Sequence, residues 1–269
     1  MQYSSSGLST LSRLVKYARS LITPAYWPYL ARLVVPTSEH GRALSRFAFR
    51  TVLDVGANKG QFAAFAFNAW PDAQLYCFEP LPKPRGTLKA IVAAKRVRVF
   101  DVALGSQASS MDMHIAQRDD SSSLLPIGEH QTTLHGTHEV GVQPVKVERI
   151  DSLLNLSDLL SPCLLKIDVQ GFELDVIKGA TGLLSAIDVI YAEMSYIELY
   201  KGQPLYSDII AFLHDYGFAV AGVYNQSDDT GLGAIQADVL LQRRTSPLAA
   251  ATLKADQGVS TPFATAASA

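Results

Sequence analysis

Polar residues stand at three points where apolar segments of the chain end. The segment DVGANKG, residues 54–60, continues the apolar run that begins at residue 51. Glu79 ends the next apolar run, 19 residues after Gly60 (79 − 60), and KIDVQGFE, residues 166–173, ends a later one. Open α/β sheets bind ligands at the carboxyl ends of their strands. If the apolar runs are strands, the three points therefore belong to one site.

The first segment is close to a dinucleotide-binding fingerprint but does not complete it. That fingerprint is G-x-G-x-x-G, whereas this chain has Gly56 and Gly60 with Asn58 between them. Asp54 adds a carboxylate, which disfavours a polyphosphate and favours a cation or a hydroxylated group. Glu79 is placed to accept both hydroxyls of a ribose. The pattern favours a nucleoside that carries an amino acid and a positive sulfonium, with an NAD-type dinucleotide as the alternative.

The elements that must position these residues alternate between strand-like and helix-like segments. Parallel strands buried on both faces are nearly continuous apolar runs, and their alternation with helices predicts a mainly parallel sheet with helices on both faces. The expected strands are residues 51–56, 73–79, 97–104, 163–169, 188–194, 218–224 and 234–242, and the expected helices are residues 61–70, 83–94, 172–184 and 207–216.

Residues 105–150 interrupt this alternation. Residues 111–116 and 142–150 alternate with a period of two, which predicts an antiparallel pair or β-flap with a long polar loop between. His130, His135 and His138 lie in that loop. They are solvated loop residues, or part of a lid that supplies a general base, or metal ligands, although their spacing is not a standard zinc pattern.

The two ends of the chain differ from the middle. Residues 8–22 form an amphipathic basic helix, which packs on the domain or on a second subunit, or lies on a membrane surface. Residues 245–269 are mostly small or polar and are expected to be disordered. The chain is thus divided into a helical extension (1–50), one domain (51–244) and a tail.

Composition excludes several classes of protein. The 269 residues are 48% hydrophobic with a net charge of −2, which argues against nucleic acid as a partner. No apolar run reaches eighteen residues, so a membrane-spanning helix is excluded, and Arg13, Lys16 and Arg19 interrupt any secretory signal. Cys77 and Cys163 lie in apolar runs and are expected to be buried, reduced thiols. The expected location is the cytoplasm.

Several motifs together resemble the FkbM family of S-adenosylmethionine-dependent methyltransferases, in the order that the family has them. The resemblance covers about residues 51–244 and implies a class I (Rossmann-like) α/β fold. That fold is a mostly parallel seven-stranded sheet with helices on both faces, a late antiparallel strand and an inserted β-flap. The motifs are DVGANKGQF (54–62), YCFEPLP (76–82), DVALG (101–105), SSSLL (121–125), VKVERIDSLL (145–154), LLKIDVQGFELDVIKGA (164–180) and YAEMSYIELY (191–200).

The resemblance also implies roles for individual residues toward S-adenosylmethionine. Glu79 would bind the ribose, and Asp101 and Val102 would flank the adenine. For Asp54 and Asp101, ordinary turn roles are the alternatives. The residues that would line the methionine part of the cofactor, with glycines leaving room for it, are Asp54, Gly56, Asn58 and Gly60.

Three acids are candidate catalytic residues. Asp168 shares a strand face with Lys166 and could orient the transferable methyl or accept a proton from the substrate, so it is also a candidate cofactor ligand. Glu173 and Glu193 are comparable candidates. For Glu173 the alternative is a structural role, because the dipole at a helix N-terminus stabilises a carboxylate there. No metal site is predicted, and a metal requirement stays open because Asp168 and Glu193 could ligate a hard cation.

The predicted reaction is methyl transfer from S-adenosylmethionine to a hydroxyl group. The expected acceptor hydroxyl belongs to a sugar of a glycolipid or polysaccharide, or to a secondary metabolite. The expected partner is accordingly a small molecule or a lipid-linked glycan. The alternatives are a non-catalytic scaffold that binds the cofactor and an NAD-type oxidoreductase. A nucleic-acid methyltransferase is disfavoured by the acidic balance of the chain.

Overall fold

The computed structural model describes residue 18, residues 20–93 and residues 95–246. Most of the amphipathic helix predicted over residues 8–22 lies outside these ranges, and residues 20–22 at its end are helical. The tail predicted to be disordered lies outside them from residue 247 onward. Within the described ranges, no helix has the length and apolar character needed to cross a membrane.

The strands of the described chain follow the predicted order. They are β1 (Thr51–Val55), β2 (Gln74–Phe78), β3 (Val97–Phe100), β4 (Ala103–Leu104), β5 (Ser109–Ala116), β6 (Glu139–Glu148), β7 (Cys163–Ile167), β8 (Val189–Ser195), β9 (Phe218–Asp229) and β10 (Gly233–Arg243).

The α-helices lie mainly between strands. They are α1 (Trp27–Leu30), α2 (Gly41–Leu44), α3 (Gln61–Ala69), α4 (Pro82–Val92), α5 (Glu129–His135), α6 (Ile150–Leu153), α7 (Glu173–Lys178) and α8 (Tyr206–Asp215). Single 3-10 turns are formed by Pro24–Tyr26, Ser38–His40, Asp119–Ser121, Leu156–Asp158 and Leu184–Ala186.

The main sheet has seven strands in the order β3-β2-β1-β7-β8-β10-β9. The first five are parallel, and β10 is antiparallel to both of its neighbours. Parallel pairing of β1 with β2 and with β7 brings the three carboxyl ends to one edge of the sheet. The predicted class I fold is confirmed, including the late antiparallel strand.

Each face of this sheet has its own hydrophobic core. Strand residues alternate between the faces, so that Leu53 and Val55 face α7 and α8, whereas Val52 faces α3 and α4. Cys77 and Cys163 are buried free thiols, one on each face, as predicted. The sheet is thus covered on both sides, which is why its central strands are continuously apolar.

The segment before β1 is part of one of these cores. Tyr26, Tyr29, Leu44 and Phe47 belong to the cluster that contains α3, and the indole N–H of Trp70 donates to the Phe47 carbonyl at 2.8 Å. Its helical pieces are short turns of three or four residues. The domain boundary at residue 50 stays a prediction, but this segment packs directly on the sheet.

The inserted flap is a three-stranded sheet in the order β4-β6-β5, in which β5 and β6 form the predicted antiparallel pair. Two expectations around it were wrong. The strand predicted over residues 97–104 divides after Phe100, because Ala103 and Leu104 pair with β6 instead of β2. The predicted polar loop contains α5, whose Leu134 packs against a small cluster around Tyr200. Seven residues are too few for a helical period to stand out.

The helix predicted over residues 172–184 is also shorter than expected. It ends at Lys178, and Gly179 follows as its C-cap. A side chain at Gly179 would collide with the backbone carbonyl of Gly105, 2.1 Å from its ideal Cβ position. This close approach fixes the start of the flap against the end of α7.

Gly56 allows an equally close approach between β1 and β7. Its φ is +73°, and an ideal Cβ would lie 1.9 Å from the Asp168 carbonyl oxygen. The turns after the two strands can therefore meet only if residue 56 lacks a side chain.

We expect Gly56→Ala to lower the free energy of unfolding by about 2–5 kcal/mol, because it adds backbone strain and overpacking. Gly86→Ala is the matched control. Gly86 lies inside α4 with open space around it, so alanine there should raise stability by about 0.5–1 kcal/mol. Urea denaturation of both variants measures the difference, and a Gly56→Ala variant as stable as the wild type would contradict the close-approach argument.

Candidate active site

A cavity of about 430 Å³ opens at the carboxyl ends of the parallel strands. Gly56 and Asn58 line it after β1, Glu79 after β2, Asp168 after β7, and Glu193 from β8. The structure therefore brings the three predicted points together at one edge of the sheet. Val102 also lines the cavity. Four other predicted site residues do not: Asp54, Gly60, Asp101 and Glu173.

Glu79 is held rigidly at the cavity wall. One carboxylate oxygen accepts the backbone N–H of Asn58 at 2.9 Å, and the other accepts that of Leu81 at 2.8 Å. Burial raises the pKa of Glu79 to about 7, although the two N–H groups favour its charged form. Each carboxylate oxygen has a second lone pair, so the side chain can still accept two hydroxyl groups.

The glycines of the first motif serve packing inside the protein. The missing side chain of Gly56 makes room for Asp168, as described above. Gly60 is the N-cap of α3 with a φ of +89°, and a Cβ there would lie 2.6 Å from Ile91 and 2.9 Å from Leu88 of α4. Of the two glycines expected to leave room for a ligand, only Gly56 lines the cavity, and that role stays a prediction.

Asp54 lies below the cavity, fully buried, and pairs with Lys166. The Lys166 ammonium is 3.1 Å from the Asp54 carboxylate and 3.8 Å from that of Asp168. It also donates to the carbonyls of Val55 and Gly56 at 3.3 and 3.2 Å. Burial alone would lower the pKa of Lys166, but these carboxylates raise it above its usual value. The side chain is therefore a buried cation. It joins the end of β1 to the end of β7.

Asp168 and Glu193 are bridged by one side-chain amide. The amide nitrogen of Gln170 donates to Asp168 at 2.9 Å and to Glu193 at 3.0 Å, and Gln236 donates to the other oxygen of Glu193 at 2.7 Å. Burial raises the pKa of Glu193 well above its usual range, and the nearby carboxylates of Asp168 and Asp238 raise it further. Asp168 is the more accessible acid, with 43% of its side chain exposed.

Gln170 also connects the site to the flap. Its backbone has a positive φ of +59°, and its carbonyl accepts the Ser123 hydroxyl at 2.6 Å. Its side-chain oxygen lies 2.8 Å from the Tyr200 hydroxyl. The sequence placed Gln170 in the motif KIDVQGFE, but spacing alone did not indicate that it bridges two acids.

Glu173 turns away from the cavity toward the backbone. Its carboxylate accepts the N–H groups of Gly171 at 3.0 Å and Val169 at 3.4 Å, and burial raises its pKa to about 7. This geometry matches the alternative role at a helix N-terminus. Asp101 is exposed to solvent outside the cavity, next to Val102 in its wall.

The three histidines of the flap region do not converge. His135 lines the cavity from α5, whereas His130 lies within hydrogen-bonding distance of the Glu198 carbonyl, and His138 is exposed. Among the residues that the structure describes, no group of three or more His, Cys, Asp or Glu side chains could hold a metal ion.

His40 is a cavity residue that sequence reasoning missed. It is the last residue of the 3-10 turn before α2, and its Nδ1 lies 3.1 Å from the Tyr191 hydroxyl and 3.4 Å from Asp238. Tyr191 donates to Asp238 at 2.9 Å, and Asn225 donates to the same oxygen at 2.7 Å. The sequence signal that could have revealed this group is the presence of Tyr191 and Asp238 inside the apolar strands β8 and β10.

The cavity is strongly acidic. Arg118 and Lys166 are the bases among its lining residues, apart from histidine. Such a lining fits a cationic ligand and disfavours a polyphosphate. Together with the paired oxygens of Glu79, it fits the predicted sulfonium nucleoside better than a dinucleotide. The six acids in the lining are Glu39, Glu79, Asp120, Asp168, Glu193 and Asp238.

The chain is similar to known methyltransferases. The chain is 32% identical over 160 residues to the 2-O-methyltransferase NoeI of Sinorhizobium fredii, across 56% of this chain and 66% of that protein. It is 26% identical over 141 residues to the hexuronic acid methyltransferase AglP of Haloferax volcanii, across 52% and 54%. The chain thus spans about half to two thirds of these relatives. The solved precorrin-6y C5,15-methyltransferase of Geobacter metallireducens is more distant, at 13% identity and a TM-score of 0.42 over 77% of this chain and 89% of that one.

The profile of the Methyltransferase FkbM domain matches residues 54–220. The match begins at Asp54 and includes all three motifs that meet at the cavity. It covers more than half of the chain and confirms the predicted family, the methyltransferase class and S-adenosylmethionine as its cofactor. The chain belongs to the FkbM methyltransferase domain family.

Proposed function

We propose that this protein transfers a methyl group from S-adenosylmethionine to a hydroxyl of a sugar-containing acceptor. The observation that carries the proposal is a single cavity with two different ends. One end has Glu79 and Val102, which suit a nucleoside. The other end has many polar side chains in its wall, namely Asp168, Gln170, Glu193, Asn225, Gln236 and Asp238.

The first end would hold the cofactor. Glu79 accepts the ribose hydroxyls, Val102 contacts the base, and the turn of Gly56 and Asn58 faces the methionine part. The bound cofactor supplies an electrophilic methyl group, whose bond to sulfur breaks as the bond to oxygen forms. The negative lining of the cavity stabilises the positive charge of the sulfonium before transfer.

The second end would hold the acceptor. Carboxylates and amides bind hydroxyl-rich molecules because each can accept or donate hydrogen bonds in defined directions. Asp168 is the accessible acid here and orients the acceptor hydroxyl, while Glu193 is fixed by two amides and shapes the floor. Holding the hydroxyl in line with the methyl group can lower the barrier by roughly 7–11 kcal/mol. The relative named as a hexuronic acid methyltransferase supports this class of acceptor, the relative named as a 2-O-methyltransferase supports transfer to an oxygen, and a secondary-metabolite hydroxyl is the alternative.

We also propose a peripheral membrane contact through the N-terminal segment, which would suit a lipid-linked acceptor. Four large apolar side chains there are exposed: Leu21 by 64%, Ile22 by 80%, Trp27 by 57% and Leu33 by 90%. Residues 1–38 contain four basic and no acidic side chains. Apolar anchors beside positive charge bind anionic lipid surfaces.

The buried free thiols fit a reducing compartment, and we propose the cytoplasm.

Cofactor binding should depend on Glu79 and on its charge. We expect Glu79→Gln to weaken S-adenosylmethionine binding at least tenfold, because a hydrogen bond to a charged acceptor contributes about 1.5–3 kcal/mol. Isothermal titration calorimetry measures this, with Glu129→Gln on the exposed start of α5 as the control. Tight NAD binding without S-adenosylmethionine binding would instead support an oxidoreductase.

The same side chain predicts a pH effect. The pKa of Glu79 is about 7 in the folded protein, so the carboxylate becomes protonated as pH falls from 8 to 6. The protonated form accepts hydroxyl groups less well, and wild-type affinity for the cofactor should therefore decrease over that range. Glu79→Gln should remove this part of the dependence. Parallel titration curves for wild type and variant would contradict the role of Glu79.

The acceptor end should select hydroxyl-rich molecules. We expect release of S-adenosylhomocysteine with hexose- or hexuronic-acid-containing glycans and little with an apolar macrolide. Asp168→Asn should reduce kcat/KM for the glycan by about 10²-fold without weakening cofactor binding, because the acceptor hydroxyl would no longer be oriented toward the methyl group. Cofactor binding with no turnover on any hydroxylated acceptor would favour the non-catalytic scaffold.

The membrane contact should depend on the exposed apolar residues. We expect Trp27→Ser with Leu33→Ser to reduce sedimentation with vesicles that contain phosphatidylserine, because both side chains lie in solvent in the free protein. The matched control is Val220→Ser with Val223→Ser, two exposed apolar residues on the edge strand β9. Equal sedimentation of both double variants would refute the assignment.

A further inference from the structure

His40 occupies a fixed position in the cavity wall. Its ring packs against Phe62, Phe65 and Tyr191, with ring centroids 5.6, 6.4 and 5.4 Å away. Only 14% of the side chain is exposed. The imidazole is therefore held by aromatic neighbours on several sides, at the edge of the space where the acceptor would bind.

The neighbours of Nδ1 determine which ring nitrogen carries the proton. Although burial alone would raise the pKa of Asp238, hydrogen bonds from His40, Asn225 and Tyr191 hold it below its usual value, so this residue is a carboxylate that can only accept. Tyr191 donates its hydroxyl proton to Asp238, which leaves its oxygen as an acceptor toward His40. Both neighbours of Nδ1 are thus acceptors.

Because Nδ1 must donate, a neutral His40 has its lone pair on Nε2. A carboxylate that fixes a histidine in this way is the arrangement that prepares imidazole to take up a proton. The acids at the acceptor end are less suited to that task. Glu193 already accepts from two amides, and Asp168 accepts from Gln170 and lies 3.8 Å from the Lys166 ammonium.

We propose that His40 is the general base of the methyl transfer, with Asp238 and Tyr191 as the residues that position it. This inference rests on the proposed function. The proton of the acceptor hydroxyl passes to Nε2 as the acceptor oxygen bonds to the methyl carbon, and the electron pair of the broken carbon–sulfur bond stays on sulfur. His40 then returns the proton to water.

Two of the three residues of this assembly lie outside the part of the chain that the family profile matches. His40 and Asp238 lie beyond residues 54–220, and Tyr191 lies within them. The base would therefore come from the segment before β1, and the cofactor site from the motifs that the family profile covers.

The first test separates catalysis from cofactor binding. We expect His40→Gln to lower kcat by about 10²–10⁴-fold while the dissociation constant for S-adenosylmethionine is unchanged. His114→Gln is the matched control, because His114 also pairs with an acid, Glu139 at 2.7 Å, but lies on the flap outside the cavity. A His40→Gln variant that loses cofactor affinity and keeps kcat at saturation would overturn the proposal.

The second test does not depend on turnover. In protein labelled with ¹⁵N-histidine, we expect the nuclear magnetic resonance spectrum to show His40 protonated at Nδ1 and unprotonated at Nε2. Asp238→Asn removes the carboxylate and should increase the population of the other tautomer, with kcat reduced and circular dichroism unchanged. A wild-type His40 protonated at Nε2 in its neutral form would contradict the base assignment.

The outcomes also distinguish this proposal from the proposed function. A wild-type protein that binds the cofactor but methylates no hydroxylated acceptor overturns both. Normal turnover by wild type and by His40→Gln overturns only the base, and would direct attention to Asp168.

Discussion

The ion pair between Lys166 and Asp54 is the interaction on which the site depends most. It lies in the sheet below the cavity and joins two neighbouring strands at the point where both end. The same ammonium donates to two carbonyls of the first motif, so it also fixes the turn that follows β1. Removing one partner of a buried pair typically costs about 3–5 kcal/mol, because the other charge remains without compensation. Here the loss would also release the turn that positions Gly56 and Asn58.

Around this pair, the described residues of the cavity wall bring six acids close together with only two bases besides histidine. Amide donors favour the charged forms of these acids and hold them in place: Gln170 bridges two acids, and backbone N–H groups hold Glu79. A cation entering the cavity meets oriented oxygens that need no rearrangement. This explains why the same acidic lining can serve cofactor binding at one end and acceptor binding at the other.

The sequence predicted the parts of this arrangement that follow from strand order. Glu79 and Asp168 had to approach the first motif, because the ends of paired parallel strands meet at one edge. Depth was harder to predict: alternation assigns a face to Asp54 but does not say that the residue lies below the cavity. Glu173 and Asp101 were similarly ambiguous, since each had a local structural role that sequence could not separate from ligand binding.

The contribution of His40 could not be predicted from periodicity at all. Its position results from long-range packing of the segment before β1 against α3 and β8. The division of the third strand was missed for a related reason, because pairing with β6 competes with pairing to β2. In both cases a contact between distant parts of the chain determines the local structure, and the local sequence pattern does not reveal that contact.

The cluster of His40, Tyr191 and Asp238 draws on residues that are almost 200 positions apart in the chain (238 − 40). During synthesis on the ribosome, His40 emerges long before its partners. The cofactor motifs and Tyr191 follow, and Asp238 arrives only with β10, which is inserted between β8 and β9. The nascent chain can therefore form its nucleoside-binding half first, while the histidine–carboxylate contact is completed only when the end of the sheet has closed.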